Sequence, residues 1–257
     1  MRKISVLNFK GGVGKTSFVV NVGHKLALEG NNVLIVDCDL QGNASTLLPN
    51  QPRWTLLDVV RETQPLTEVI KNARPNLDVL PANGNLDRAT PYIISSGPDG
   101  YLIIKNQMQE LERANVYDFV LYDHSPSYSP LTESVLLASD EMIIPCELGT
   151  FSMEGLLQMI EKLMTTLTKR EHAIGISGIV PFRYNASIAQ HKTYLDDLRA
   201  NEELAKVLMP TVHQDATIGK SQHFHKSVFE YDPSSRAAKD FTAICNTLVG
   251  KEATVSA

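Results

Sequence analysis

The sequence predicts an α/β fold: a doubly wound, mostly parallel sheet with helices on both faces. Three observations carry this expectation. Strand-like and helix-like patterns alternate along almost the whole chain, with no linker-like tract and no internal repeat. The run Val33-Leu34-Ile35-Val36 is apolar at every position, as a parallel strand covered on both faces should be. A glycine-rich turn, Lys10-Gly11-Gly12-Val13-Gly14, joins the first strand to the first helix, and sheets of this kind hold anionic ligands at such junctions. One unit is expected over residues 1–250, with a frayed tail at 251–257.

Taken in order, Lys3–Phe9 reads as a short apolar strand and Ser17–Glu29 as a helix that Gly30-Asn31-Asn32 ends. Val33–Val36 is the second strand. Residues 53–75 suggest a short helix over Trp54–Val60 and another around Leu66–Asn72. Leu77–Pro81 reads as a strand. Ala82–Gly100, rich in turn residues, is expected to be irregular or mobile, and Tyr92, Ile93, Ile94 and Tyr101 receive no assignment. Leu102–Ala114 is helical by its period, Tyr117–Asp123 a strand ending in an aspartate, and Leu131–Ser139 a helix. Glu141–Cys146 is a strand and Phe151–Lys169 a long amphipathic helix. Ile174–Val180 is a strand, followed by helices over Ile188–Arg199 and Glu202–Leu208. A final strand is expected at Leu208–His213 and a closing helix at Pro233–Val249, with proline at its start.

With 257 residues, 43% hydrophobic and 21% charged, the chain can bury a sizeable core. No apolar run approaches a membrane span, and the N-terminus leads straight into a core strand instead of a signal peptide. A cytoplasmic protein without a membrane partner is expected. Cys38, Cys146 and Cys245 are odd in number, widely spaced and set in apolar surroundings. They read as buried thiols in a reducing compartment. A formal net charge of −5 excludes a wholesale nucleic-acid coat but leaves room for a local basic face.

The chemistry concentrates in the turn. Phe9 stands where the ordinary Gly-x-x-x-x-Gly-Lys-Thr spacing needs glycine, so Lys10-Gly11-Gly12-Val13-Gly14-Lys15-Thr16-Ser17 is a deviant P-loop with an extra lysine at its start. Its glycines let backbone N–H groups converge on phosphate oxygens, and the helix N-terminus adds a partial positive charge. Lys15 is expected to neutralise the β- and γ-phosphates of ATP, and the Thr16 hydroxyl to bind Mg²⁺. Asp37 and Asp39 sit two apart at a strand end, one for the metal shell and the other for the attacking water. Asp123, ending another apolar strand, is the expected Walker B carboxylate holding Mg²⁺ through a water. His213, His223 and His225 lack a third ligand at a convincing spacing and read as surface or packing residues. Phe224, Phe229 and Tyr231 read as core or nucleotide-edge packing.

Lys10–Thr16, Val36-Asp37-Cys38-Asp39-Leu40-Gln41-Gly42-Asn43-Ala44 and Tyr117–Asp123 together resemble the ParA family of positioning ATPases. So do Ile143-Ile144-Pro145-Cys146-Glu147 leading into Phe151–Leu156, and Phe229–Ser235, so the resemblance covers nearly the whole chain. It implies that Lys10 reaches across an ATP-sandwich homodimer to the partner's phosphates, a charge supplied in trans. It also implies that Asp39 positions water, that Asp37 lies near Mg²⁺, and that hydrolysis is slow and stimulated by a cargo-linked adaptor protein. The dimer is expected to bind DNA without sequence preference, associate with the nucleoid, and partition or position a plasmid, chromosome or protein assembly such as a carboxysome. The first strand begins at residue 3, so no helix-turn-helix precedes the loop and operator-specific binding is not expected.

The sequence departs from the family in places. Asp123-His124-Ser125-Pro126 replaces the usual Asp-x-Pro-Pro, and Leu40 takes a proline's place after Asp39. Val212-His213-Gln214-Asp215 puts Gln214 where relatives carry a basic residue tied to DNA binding. Arg183, Lys192, Lys220, Lys226 and Arg236 remain as candidates for a DNA-facing surface. A MinD-like membrane-positioning ATPase is disfavoured because Phe241–Ala257 offers only Lys251 as a base. A nitrogenase-reductase-like electron donor needs paired cysteines that Cys38 and Cys146 do not supply. A metabolic P-loop ligase or kinase needs an acceptor pocket, which residues 82–100 are the segment to provide.

Overall fold

The structure is a computed structural model and describes residues 1–149 and 153–250. Its seven strands are β1 (Arg2–Val6), β2 (Val33–Cys38), β3 (Lys71–Arg74), β4 (Leu77–Leu80), β5 (Phe119–His124), β6 (Glu141–Glu147) and β7 (Gly175–Phe182). They form one sheet in the order β3-β4-β2-β5-β1-β6-β7, parallel throughout except for the antiparallel pair β3–β4. Among the described residues the helices of eight residues or more are α1 (Lys15–Leu28), α2 (Ile103–Ala114), α3 (Pro130–Leu137), α4 (Met153–Lys169), α5 (Ala189–Ala200), α6 (Ala216–His223) and α7 (Arg236–Leu248).

The strands alternate their side chains between two apolar layers, so both faces of the sheet must be covered. Val33 and Ile35 of β2, with Phe119 and Leu121 of β5, pack with Phe18, Val22 and Leu26 of α1 and Phe241 and Ile244 of α7. Leu34 and Val36, with Val120 and Tyr122, pack instead with Ile104, Met108 and Leu111 of α2 and Leu131 and Val135 of α3. Continuing the same parity puts Asp37 and Asp123 on the α1 side. A third layer joins Ile144, Cys146 and Ile179 to Leu156, Leu163 and Leu167 of α4 and Tyr194 and Leu198 of α5. The predicted doubly wound α/β sheet is the one formed, and Cys38, Cys146 and Cys245 are buried free thiols, as expected.

Several local expectations need correction. β1 stops at Val6, because the Asn8 side chain leaves the ladder and donates from Nδ2 to the Pro145 carbonyl at 2.8 Å. The helix expected over Leu66–Asn72 ends at Val69, and Lys71–Arg74 forms the edge strand β3. A short polar edge strand carries no apolar alternation to betray it. Residues 82–100 are not irregular: Gly84–Arg88 is a 3₁₀ turn, and Ala89–Ser95 and Gly97–Gly100 are helical. Burial of Leu86, Ala89 and Ile93 in the α2–α3 layer overrides the turn-forming residues around them.

Near the C-terminus, Leu208–His213 is no strand. It runs beside β7 through the isolated bridges Ile179↔Leu208 and Tyr184↔His213 and a Val212 N–H bond to the Pro181 carbonyl, and Pro210 has no N–H to complete a ladder. The helix expected to Leu208 is one turn, Glu202–Ala205. The closing helix starts at Arg236, not at Pro233, since Ser235 caps it by accepting from the Ala238 N–H. Helices α6 and Val228–Tyr231 have no counterpart in the sequence reading. Phe224 is 56% exposed and stacks on half-exposed Tyr231, so it is not core. The start of the Phe151–Lys169 helix and the tail at 251–257 lie outside the described residues.

Candidate nucleotide site

The carboxyl ends of β1, β2, β5, β6 and β7 converge around one cavity of about 980 Å³. The loop after β1 supplies Gly11, Gly12 and Gly14 to its wall and the start of α1 Lys15, Thr16 and Ser17; β6 supplies Glu147, β7 Phe182, and the residues just past β2 and β7 are Asp39 and Arg183. Gly14 is the residue before α1 and takes φ +100°, a left-handed value that side chains resist. A Cβ there would stand 2.5 Å from the Phe182 ring, so the end of β7 presses on the loop and leaves no room for any residue but glycine. Val13 is fully buried beneath it.

Lys15 is buried, and its ammonium curls back to donate to the Lys10 carbonyl at 3.2 Å. Desolvation pushes the Lys15 pKa down, while Asp123 and Asp39 pull it up. Lys10 is fixed at both ends. Its N–H donates to Asn8 Oδ1 at 3.0 Å and its ammonium lies 3.6 Å from Glu147. The Ser17 hydroxyl faces the cavity and accepts from Gln222 Nε2 of α6 at 2.9 Å.

The three aspartates differ sharply. Asp37 is fully buried and well satisfied: Oδ2 accepts from the Ser45 N–H at 2.8 Å and hydroxyl at 2.7 Å, and Oδ1 from the Asp39 N–H at 3.1 Å. Burial raises its pKa to about 6 against the pull of those donors. Asp39 turns into the cavity, held by the Gln41 N–H on Oδ1 at 3.0 Å. Asp123 is fully buried, and neither carboxylate oxygen has a hydrogen-bond partner. Burial and the facing Asp37 push its pKa well up, while the nearby Thr16 hydroxyl and Lys15 ammonium oppose the rise. An unpartnered buried carboxylate beside a threonine hydroxyl, below a phosphate-type loop, is the donor set a hard divalent cation takes.

The comparisons with known proteins agree on what this site belongs to. A family model described as an AAA domain matches residues 1–176. The chain is 29% identical over 98% of its length to the chromosome partitioning protein ParA of Caulobacter vibrioides, covering 95% of that protein. It is 30% identical over 96% of its length to the cell division protein PomZ of Myxococcus xanthus, covering 78% of that protein. The chain belongs to the ParA family of partition and positioning ATPases. Apo McdA of Cyanothece shares the fold of this ParA-family chain, with a TM-score of 0.83 at 21% identity over 96% of this chain and 99% of that one.

The basic residues singled out in the sequence sit in different local settings in this ParA-family protein. Arg183 and Lys226 line the nucleotide cavity. Lys192 lines a neighbouring cleft with Arg199 and His213. Arg236 reaches His213 at 2.9 Å and Asp240 at 3.0 Å. Lys220 is exposed on α6. Gln214 accepts from Asn185 Nδ2 at 3.0 Å. His213 pairs with Asp240 at 3.0 Å, and no group of three or more metal-ligating side chains occurs among the described residues. No helix of the described residues is long and apolar enough to cross a membrane.

The sequence reading missed four residues that build the site: Asn8, Ser45, Phe182 and, in any role beyond a motif match, Glu147. Asn8, two before Lys10, carried a local signal, since a polar residue inside an apolar strand pattern needs a partner. Ser45 and Phe182 act from other segments across the fold, and nothing in their neighbours announces it.

Proposed function

We propose that this chain is an ATP- and Mg²⁺-operated dimer switch that binds DNA without sequence preference and positions a cargo through partner-stimulated hydrolysis. The observation that carries the reading is that Lys15, Thr16 and Asp39 line one cavity, with the unpartnered Asp123 buried beside Lys15 and Thr16 and Lys10 3.6 Å from the cavity-lining Glu147. The Gly11–Ser17 backbone and Lys15 would hold the phosphates. Thr16 and Asp123 fit Mg²⁺, with Asp37 behind them. Bound Mg²⁺ would neutralise charge building on the phosphate oxygens. Asp39 would orient the attacking water; its place in the cavity wall and the Gln41 N–H on its carboxylate support that role.

Lys10 supports the dimeric part. Its ammonium lies 3.6 Å from Glu147, which lines the cavity, so the charge is held at the cavity's edge where a second copy would meet it. The cargo and adaptor are a matter for the family's range, which includes proteins of chromosome partitioning and cell division.

The test is DNA binding against salt with ATP, ADP or no nucleotide, run beside sizing chromatography. Binding that needs ATP, falls with salt and accompanies dimer formation is the expected result. Asp39→Ala should still bind ATP, accumulate dimer and lose hydrolysis. Nucleotide affinity near wild type in Lys15→Ala would remove the P-loop assignment, and absence of DNA binding in every state would leave a protein or membrane matrix as the surface.

A further inference from the structure

Arg183 was read from the sequence as a surface base, but its setting is the nucleotide cavity. It follows Phe182, whose ring stands against Gly14 of the P-loop, so the backbone of Arg183 is anchored at the loop's edge. Its φ is +57°, the left-handed region, which arginine rarely adopts and which the surrounding structure must enforce. That turn brings the side chain back along the wall shared by Gly11, Gly12, Lys15 and Asp39.

One carboxylate holds it there. Glu147 ends β6 as the register partner of Phe182. Its Oε1 accepts from Arg183 at 3.0 Å and its Oε2 faces Lys10 at 3.6 Å. Glu147 lines the same cavity and its side chain is only 19% exposed, whereas that of Arg183 is 56% exposed and free to swing. A carboxylate bridging two cations at the edge of a phosphate cavity presents them with what a phosphate would present: two anionic oxygens at fork spacing.

We propose that Arg183 is a second phosphate-directed cation of this cavity, and that Glu147 holds it together with Lys10 until nucleotide phosphate displaces the carboxylate. The proposal rests on the reading that the cavity takes ATP. The backbone of Lys10 stays clamped by Asn8, so only its ammonium is released, toward the phosphates held by the second copy. Glu147 thereby acts as an internal competitor of the terminal phosphates. ATP, with one more phosphate than ADP, gains more from the exchange.

The test is equilibrium binding of ATP and of ADP, each with Mg²⁺, to the full chain and its variants. Arg183→Gln should weaken ATP about tenfold and ADP clearly less, the size expected for one charge-assisted fork contact. Arg183→Lys, which keeps the charge and the same backbone demand, should recover part of the loss. Glu147→Gln should tighten ATP severalfold, and most of that gain should vanish in the Glu147→Gln/Arg183→Gln pair, since the two act through one contact. Melting curves without nucleotide show whether each variant folds, and the Lys-for-Arg comparison keeps the test valid if the glutamine variant is unstable. Unchanged ATP and ADP affinity in Arg183→Gln, while Lys15→Ala abolishes both, overturns the proposal and leaves the P-loop reading standing. Loss confined to DNA binding also overturns it and returns Arg183 to a nucleic-acid surface. If Lys15→Ala binds ATP as the wild type does, the cavity assignment itself fails and takes this proposal with it.

Discussion

Asp37 and Asp123 are register partners on β2 and β5, and protein donors satisfy only the first of them. The difference sets their roles. Asp37 anchors the turn that carries Asp39, whereas Asp123 keeps an unpartnered carboxyl group under the P-loop. An acid whose folded pKa lies above its unfolded value binds more protons when folded. Its burial therefore weakens the fold as pH rises from the unfolded pKa of 3.8 toward the raised folded value.

Asp123→Asn keeps the shape and removes the charge. In the absence of Mg²⁺ and nucleotide it is expected to stabilise the fold by about 1–3 kcal/mol at neutral to alkaline pH and to flatten the loss with rising pH. The same variant should lose the additional stabilisation that Mg²⁺-ATP confers. Urea titrations with and without Mg²⁺-ATP read both effects. A variant less stable without ligand yet fully stabilised by Mg²⁺-ATP would show that Asp123 is a structural cap and not a metal-facing group.

The contact of Phe182 with Gly14 makes a second prediction. Gly14→Ala meets two penalties, a left-handed φ and a ring 2.5 Å from the new Cβ. Together they are expected to cost about 1–3 kcal/mol and to lose ATP binding, because the N–H groups around position 14 must shift. Adding Phe182→Leu relieves the clash but not the dihedral, so stability should return in part and ATP affinity should stay low. Full recovery of both in the double variant would mean that packing alone dictates glycine here.

Much of this architecture was legible because its signals are local. Val33–Val36 and Tyr117–Asp123 declare themselves by composition, and the aspartates follow from standing at their ends. Leu66–Asn72 and Ala82–Gly100 failed for the opposite reason. Lys71–Arg74 becomes a strand only because Leu77–Leu80 lies beside it, and Ala89–Ser95 becomes a helix because Ile93 has a core to enter. In the site, the glycines, Lys15, Asp39 and Asp123 were readable from spacing. Glu147 and Phe182 were not, since their work depends on the parallel register of β6 and β7. Arg183 shows the limit most clearly: a sequence displays its charge, but only the fold reveals that Glu147 turns it into the cavity.

His124 carries the last prediction. It follows Asp123, lies fully buried, and its Nε2 is 2.8 Å from the Ser5 hydroxyl, itself 2.7 Å from the Ser139 hydroxyl. Ser139 donates to the Val135 carbonyl at 2.9 Å, so its oxygen is free to accept from Ser5. Ser5 must then accept from His124, which places the histidine proton on Nε2. Nδ1 is left with a lone pair and no partner, a smaller penalty than a stranded N–H. Burial holds the ring neutral and lowers its pKa to about 3, with the Lys15 charge acting in the same direction. A base with a depressed folded pKa loses stability as pH falls through its unfolded value, 6.5, because the unfolded chain takes up the proton first. Between pH 7 and pH 5 His124 is expected to withdraw about 2 kcal/mol. Asp37, raised to about 6, works in the opposite sense as pH falls over part of that window, so wild-type melts alone would blur the effect. The comparison is therefore urea unfolding of wild type and His124→Gln at pH 7 and pH 5, without nucleotide. The variant should lose about 2 kcal/mol less than the wild type on acidification, and equal losses would mean that the ring is protonated inside the fold.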